Sequence, residues 1–153
     1  MLTMEITCQT VQDYLHTHIP LSKAMDVSVE SLDDGVILSA PLDPNINHRG
    51  TAFGGSISTL AILSAWTLVH VRLQDQSIPH RLVIRRNSVE YLQPINGAFQ
   101  VHCQPPPPAK WEQLVTTLTR KGKGRINLEA NIHSDQVLAG RFQGEYVALR
   151  PIS

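Results

Sequence analysis

Apolar residues recur along this chain in three patterns, and each predicts a different element. Val11, Leu15 and Ile19, with Tyr14 and His18 beside them, repeat at helical spacing, so residues from about 8 to 18 form an amphipathic helix that ends near Pro20 and caps a core. Val27 and Val29 alternate with polar residues, Asp33-Asp34-Gly35 supplies a hairpin turn, and Val36, Leu38 and Ala40 resume the alternation, which predicts two antiparallel strands. After Pro44 a polar loop, Asn45 to Gly55, leads into a helical run from Ser56 to Val71. Ile57, Leu60, Ile62, Leu63, Trp66, Leu68 and Val69 cover that run on nearly every side, so the rest of the protein must wrap it.

The second half of the chain supplies the wrapping, with strands at about 81–93, 98–104, 125–134 and 137–148. Ile126, Leu128, Ala130 and Ile132 share one face opposite Asn127, Glu129, Asn131 and His133, while Leu138, Phe142 and Tyr146 line one side of the last strand. Pro105 to Pro108 reads as a rigid connector. From Pro108 to about Arg120 the chain is helical, with Trp111, Leu114, Val115 and Leu118 at helical spacing and Gly122 and Gly124 ending it. An antiparallel six-stranded sheet curled around the long central helix, an α+β architecture, gives every apolar face a partner.

Composition narrows the function classes. The 153 residues are 42% hydrophobic and 17% charged, the size of one domain spanning 1–153. The chain carries 13 basic and 13 acidic residues, so no net field draws it to nucleic acid or to an anionic membrane. The uncharged stretch from Thr51 to Val71 approaches the about 20 residues a membrane span needs. Its glycines, serines and threonines favour a buried helix instead. Cys8 and Cys103 form no disulfide framework and no metal-ligand spacing, the His residues are scattered, and no metal or organic cofactor is expected. The first residues lack an export pattern, which implies a cytoplasmic location.

The order of elements, with Phe53-Gly54-Gly55 at the mouth of the buried helix, resembles the hotdog superfamily. Within it, the segment from Asn47 to Ser56 (Asn-His-Arg-Gly-Thr-Ala-Phe-Gly-Gly-Ser) and the closing Gly144-Glu145-Tyr146-Val147-Ala148 look like the putative-thioesterase domain that some bacteria carry fused behind an acetyltransferase domain. The resemblance covers nearly the whole chain. It implies an acyl-CoA or acyl-carrier-protein thioester as substrate and a homodimer, which could pair further into a tetramer, with the strand near 81–93 in the interface.

Thioester hydrolysis needs a polarised carbonyl, a stabilised oxyanion and a positioned nucleophile. Gly54 and Gly55 open the central helix, where unpaired backbone N–H groups and the positive dipole end favour a carbonyl oxygen; the alternative is that they only permit tight packing. In the phenylacetyl-CoA type of hotdog thioesterase an Asn stands six residues before a His-Gly-Gly and a carboxylate seven residues after the second Gly. Here Asn47 keeps the first position, while Phe53 and Ile62 replace the His and the carboxylate. The nucleophilic water must therefore find other partners. Ser58 and Thr59, one turn before Ile62, are candidate hydroxyls, although such groups in helices commonly bond a carbonyl one turn back; Ser64 is a weaker one. Asn47 can orient water or the carbonyl, or only shape a turn. His48 can act as a base, or sit solvated. Asp43 and Glu90 are the carboxylates that could reach the site across a dimer, against readings as a turn residue and an exposed strand position. Trp66 borders the acyl path, and Arg81, Arg85 and Arg86 suit carrier phosphates or form a solvated face. The competing function is a non-catalytic acyl-thioester-binding module. A hydratase would require a His–carboxylate pair that the sequence does not present.

Overall fold

In the computed structural model, which describes residues 5–152, the chain runs α1 (Cys8–His18), α2 (Pro20–Ala24), β1 (Ser28–Ser31), β2 (Val36–Ala40), a 3-10 turn (Asp43–Asn45), α3 (Gly54–Asp75), β3 (Arg81–Tyr91), β4 (Phe99–Cys103), α4 (Pro108–Lys121), β5 (Lys123–Ser134) and β6 (Val137–Leu149). Thr7 starts α1 through a reciprocal cap: its hydroxyl accepts from the Thr10 N–H, and the Thr10 hydroxyl accepts from the Thr7 N–H. Pro20 ends α1 as expected and also opens α2, because a first-turn N–H has no helical partner to lose.

The six strands form one antiparallel sheet in the order β1-β2-β4-β5-β6-β3. The inward residues of β5 and β6 (Ile126, Leu128, Ala130, Ile132, Phe142, Tyr146) are buried, as their alternation predicts. Against them packs α3, through Leu60, Ala61, Leu63, Ala65, Leu68 and Val69. This is the hotdog arrangement: a sheet curled around one long helix. By length and composition α3 could cross a membrane, yet in this fold it lies along the sheet and touches five of the six strands.

Three details correct the sequence reading. The central helix begins at Gly54 and ends at Asp75, beyond the expected 56–71 at both ends. Its wrapping is incomplete: Gly55, Ser58, Thr59, Ile62, Trp66 and His70 stay half-exposed along one stripe, beside the edge strand β3. Gly122 alone ends α4, in the left-handed region at φ 77°. Gly124 belongs to β5, where a Cβ would sit 2.9 Å from the Leu114 carbonyl oxygen.

Candidate active site

The loop before α3 is a miniature hairpin held by one side chain. Ile46 bridges Ala52, the Asn47 N–H donates to the Thr51 carbonyl, and Gly50 takes φ 80° at the turn. The Asn47 amide nitrogen donates to Thr51 Oγ1 at 2.8 Å and to the Ala52 carbonyl at 3.4 Å, and its oxygen accepts from the N–H groups of Arg49 (2.8 Å) and Thr51 (3.1 Å). Two donors and two acceptor positions are all that an Asn side chain has. In this arrangement Asn47 holds the loop. Asn45 anchors the base: it is buried, its amide donates to the carbonyls of Met25 and Pro41, and its backbone carbonyl accepts from the Phe53 N–H at 2.7 Å.

The loop delivers Phe53 in extended conformation as the cap of α3, with no side chain bonded to the first turn. The N–H groups of Ser56 and Ile57 turn back to the Phe53 carbonyl, and those of Gly54 and Gly55 have no acceptor among the described residues. Two donors and the positive end of a 22-residue helix therefore point out of the fold together. Two exposed aromatics flank them. The Phe53 ring lies where a Cβ on Gly55 would be, 2.3 Å from its nearest carbon, and Tyr91, from the end of β3, packs on Gly54 and donates its hydroxyl to the Gly54 carbonyl at 3.0 Å. The glycines thus let side chains approach the helix end closely.

Ser58 and Thr59 both donate to the Gly55 carbonyl, at 3.1 and 2.7 Å, the back-bonding common in helices, and both stay half-exposed with acceptor positions to spare. Ser64 is buried and bonds the Ala61 carbonyl. At the departure point, the half-exposed Ile62 has its carbonyl bonded by the buried Tyr146 hydroxyl at 2.5 Å. His48 is exposed on the loop and Asp43 is exposed in the first turn of the 3-10 segment. Glu90 lines a groove with Ser88, Glu129 and Arg141, apart from the glycines.

Trp66 lies about one turn beyond Ile62 on the same stripe, with its indole N–H donated to the Leu82 carbonyl of β3 at 3.0 Å and its ring stacked on His70 at 4.7 Å. His70 stacks in turn on Tyr14 and bonds His80 through Nδ1 and Nε2 at 2.9 Å. Burial above all, then the neighbouring His80 and His18, lowers the His70 pKa from 6.5 to about 4. Of the three arginines of β3, Arg85 and Arg86 both lie near Glu145 while Arg81 turns away. Arg81 bonds the Arg150 carbonyl, Arg85 pairs with Glu145 at 2.9 Å beside cations of α4 and β5, and Arg86 lines an adjoining groove with Glu129 and Glu145. Among the cysteines, Cys103 is buried and its thiol is raised to about 12 by desolvation, while Cys8 is half-buried.

Sequence reasoning missed Tyr91, Asn45 and His70. An aromatic at a strand's end gives no sign of which helix it will meet. A buried Asn looks like any turn residue, and His70 was read only as part of an apolar run.

A curled antiparallel sheet around a central helix, with a glycine-built helix mouth beside its edge strand, defines a hotdog protein of the thioesterase kind. The chain belongs to the family described as "Putative thioesterase (yiiD_Cterm)", which matches residues 8–150. Among solved structures, it is similar to a protein of unknown function from Chlorobaculum tepidum (31% identity, 94% of each chain covered, TM-score 0.89). It also resembles a putative thioesterase from Shewanella oneidensis (30% identity, 94% of this chain and 97% of that one, TM-score 0.83). A protein of unknown function from Pseudomonas aeruginosa, a probable thioesterase, shares the fold at 20% identity, with 95% and 97% covered and a TM-score of 0.78.

Proposed function

We propose that this protein hydrolyses an acyl thioester, carried by CoA or by an acyl carrier protein, at the mouth of α3. The observation that carries the reading is the pair of unpartnered N–H groups on Gly54 and Gly55, set at a helix's positive end between Phe53 and Tyr91. A thioester oxygen placed there is polarised in the ground state and held more tightly as it becomes an oxyanion. Water adds to the carbonyl carbon, the C–S bond then breaks, and the water's proton passes to the departing sulfur, so neither metal nor organic cofactor enters. Ser58 and Thr59 offer acceptor positions to that water, and His48 is the nearest base in sequence. The acyl chain follows the half-exposed stripe past Ile62 toward Trp66, 11 residues or about 16 Å beyond Gly55.

A second copy completes the wrapping of that stripe in this reading. The edge strand β3 is 11 residues long and leaves Val83 and Tyr91 more than half exposed, with Phe53 exposed beside it, a surface that pairing of two copies would cover. We place the dimer, or a tetramer of such dimers, in the cytoplasm, where free thiols stay reduced. Non-catalytic acyl binding is favoured by one observation, that α3 carries no carboxylate before Asp75. Free-thiol release from a panel of acyl-CoAs and acyl carrier proteins decides between them. Turnover above background is expected; tight binding with no release would replace hydrolysis by the binding module.

A further inference from the structure

At the far end of β3 from Tyr91, the last turn of α4 meets strands β3, β5 and β6 around a groove of about 560 Å³ lined by Arg85, Thr117, Lys121, Lys123, Arg125 and Val147, with Gly124 between the lysine and the arginine. Four of its side chains are cations, although the chain as a whole balances 13 basic against 13 acidic residues. One carboxylate answers them. Glu145 takes Arg85 at 2.9 Å and Arg125 more loosely at 3.8 Å, and those contacts hold its carboxyl below the ordinary range, the Arg85 hydrogen bond foremost. Lys121 and Lys123 have no hydrogen bond or ion pair with the described residues, and Arg85 uses one of its five donors on Glu145.

Part of this charge has a local explanation. Arg120 and Lys121 sit in the last turn of α4, whose negative dipole end they offset, and Arg150 bonds the carbonyls of Thr119 and Arg120 there. Lys123 and Arg125 have no such reason. They stand on a central strand beside two other cations, where like charges repel; Glu145 offsets part of that repulsion, and a bound anion would offset the rest.

We propose that this groove binds a small ligand bearing two or more phosphate groups, of the nucleoside bisphosphate class. Its size falls in the range of small-molecule clefts, roughly 300–1,000 Å³, whereas an acidic protein would need a broad basic surface. Guanidinium forks match phosphate oxygens bidentately, and the two lysines add point charge. Three of the four cations come from α4 and β5, with β6 between them and the edge strand, so pairing of two copies at β3 leaves the groove open. The same chemistry has two sources, the nucleotide end of a CoA thioester or a free nucleotide. The site stands apart from the hydrolytic reading: bisphosphate binding by a chain that releases no thiol keeps the groove and ends the hydrolase.

The test is calorimetric titration of the whole protein at low ionic strength with inorganic pyrophosphate and adenosine 3′,5′-bisphosphate, mapped by amide shifts. Saturable binding of the bisphosphate is expected, centred on residues 121–125, weakened steeply by added salt and at least tenfold by Lys123→Glu/Arg125→Glu, but not by Lys23→Glu on α2. Lys121→Glu, at an exposed helix position, carries the same expectation and serves if the strand variant does not fold. No binding of either probe, or equal affinity in the charge-reversed variants, overturns the site. Tighter binding of CoA than of the bisphosphate, with thioester KM raised in the variants, assigns the groove to the carrier; bisphosphate binding that leaves thioester KM unchanged assigns it to a free nucleotide.

Discussion

The two ends of α3 differ in how completely their polar groups are matched. Toward the C-terminal end, Trp66, His70 and His80 form a chain in which the indole N–H reaches the Leu82 carbonyl, the imidazoles bond each other, and His80 Nδ1 donates to the Ile78 carbonyl at 2.8 Å. At the N-terminal end two backbone donors are left open beneath exposed aromatics. A matched end fixes the helix against the edge strand. The unmatched end has capacity left for a ligand, which is why the reaction is placed there although the aromatic cluster carries more titratable groups.

The most direct way to break this contrast is to delete one open donor. Gly54→Pro removes an N–H that has no partner, at the first helical position, where proline fits; Phe53 before it, at φ −64° and ψ 131°, already has the extended form that proline requires. A Cβ there meets only the Tyr91 ring at 3.5 Å, an ordinary contact. The expected outcome is a fall in turnover of about 100-fold with an unchanged melting temperature, the effect of losing one oxyanion donor. Unchanged turnover would move the carbonyl oxygen away from the helix mouth.

A smaller effect is expected one step back, in the loop that aims the donors. Asn47→Ala cuts four hydrogen bonds at once, so a stability loss of about 1–2 kcal/mol should appear in urea unfolding, with turnover falling less than in Gly54→Pro. Full stability with turnover lowered more than tenfold would give Asn47 the water-orienting part instead.

Asn47 also shows where sequence reading stops. The strands and helices were legible because burial imposes a period, and even the glycine pair at the helix mouth follows from the chain alone. What a side chain bonds to is set by neighbours distant in sequence or by the exact course of a loop. Asn47 turned inward to its own loop, Arg81 turned to the Arg150 carbonyl while a bulge between Ile84 and Arg86 left both Arg85 and Arg86 exposed near Glu145, and Tyr91 met Gly54 from 37 residues away. Ile62 and Trp66 read as core in a helix that looked apolar all round. The fold leaves both half-exposed, since one chain's sheet does not close around the helix.

The smallest expected effect probes the matched end. His80 Nδ1 donates to a carbonyl, so its Nε2 accepts from His70 Nδ1 when both rings are neutral. With its pKa lowered from 6.5 to about 4, His70 resists in the folded state a proton that the unfolded chain accepts near 6.5. Its contribution to stability is therefore complete above about pH 6.5, declines as pH falls toward 4, and changes no further below that. Screening of a half-exposed ring limits the loss to about 1–2 kcal/mol. His70→Phe keeps a ring stacked between Trp66 and Tyr14 but cannot titrate, so its unfolding midpoint in urea should fall less than the wild type's between pH 7 and pH 4.5. Parallel curves for the two proteins would show that the imidazole pair accepts a proton as readily folded as unfolded, and the matched end would lose the property that sets it apart from the helix mouth.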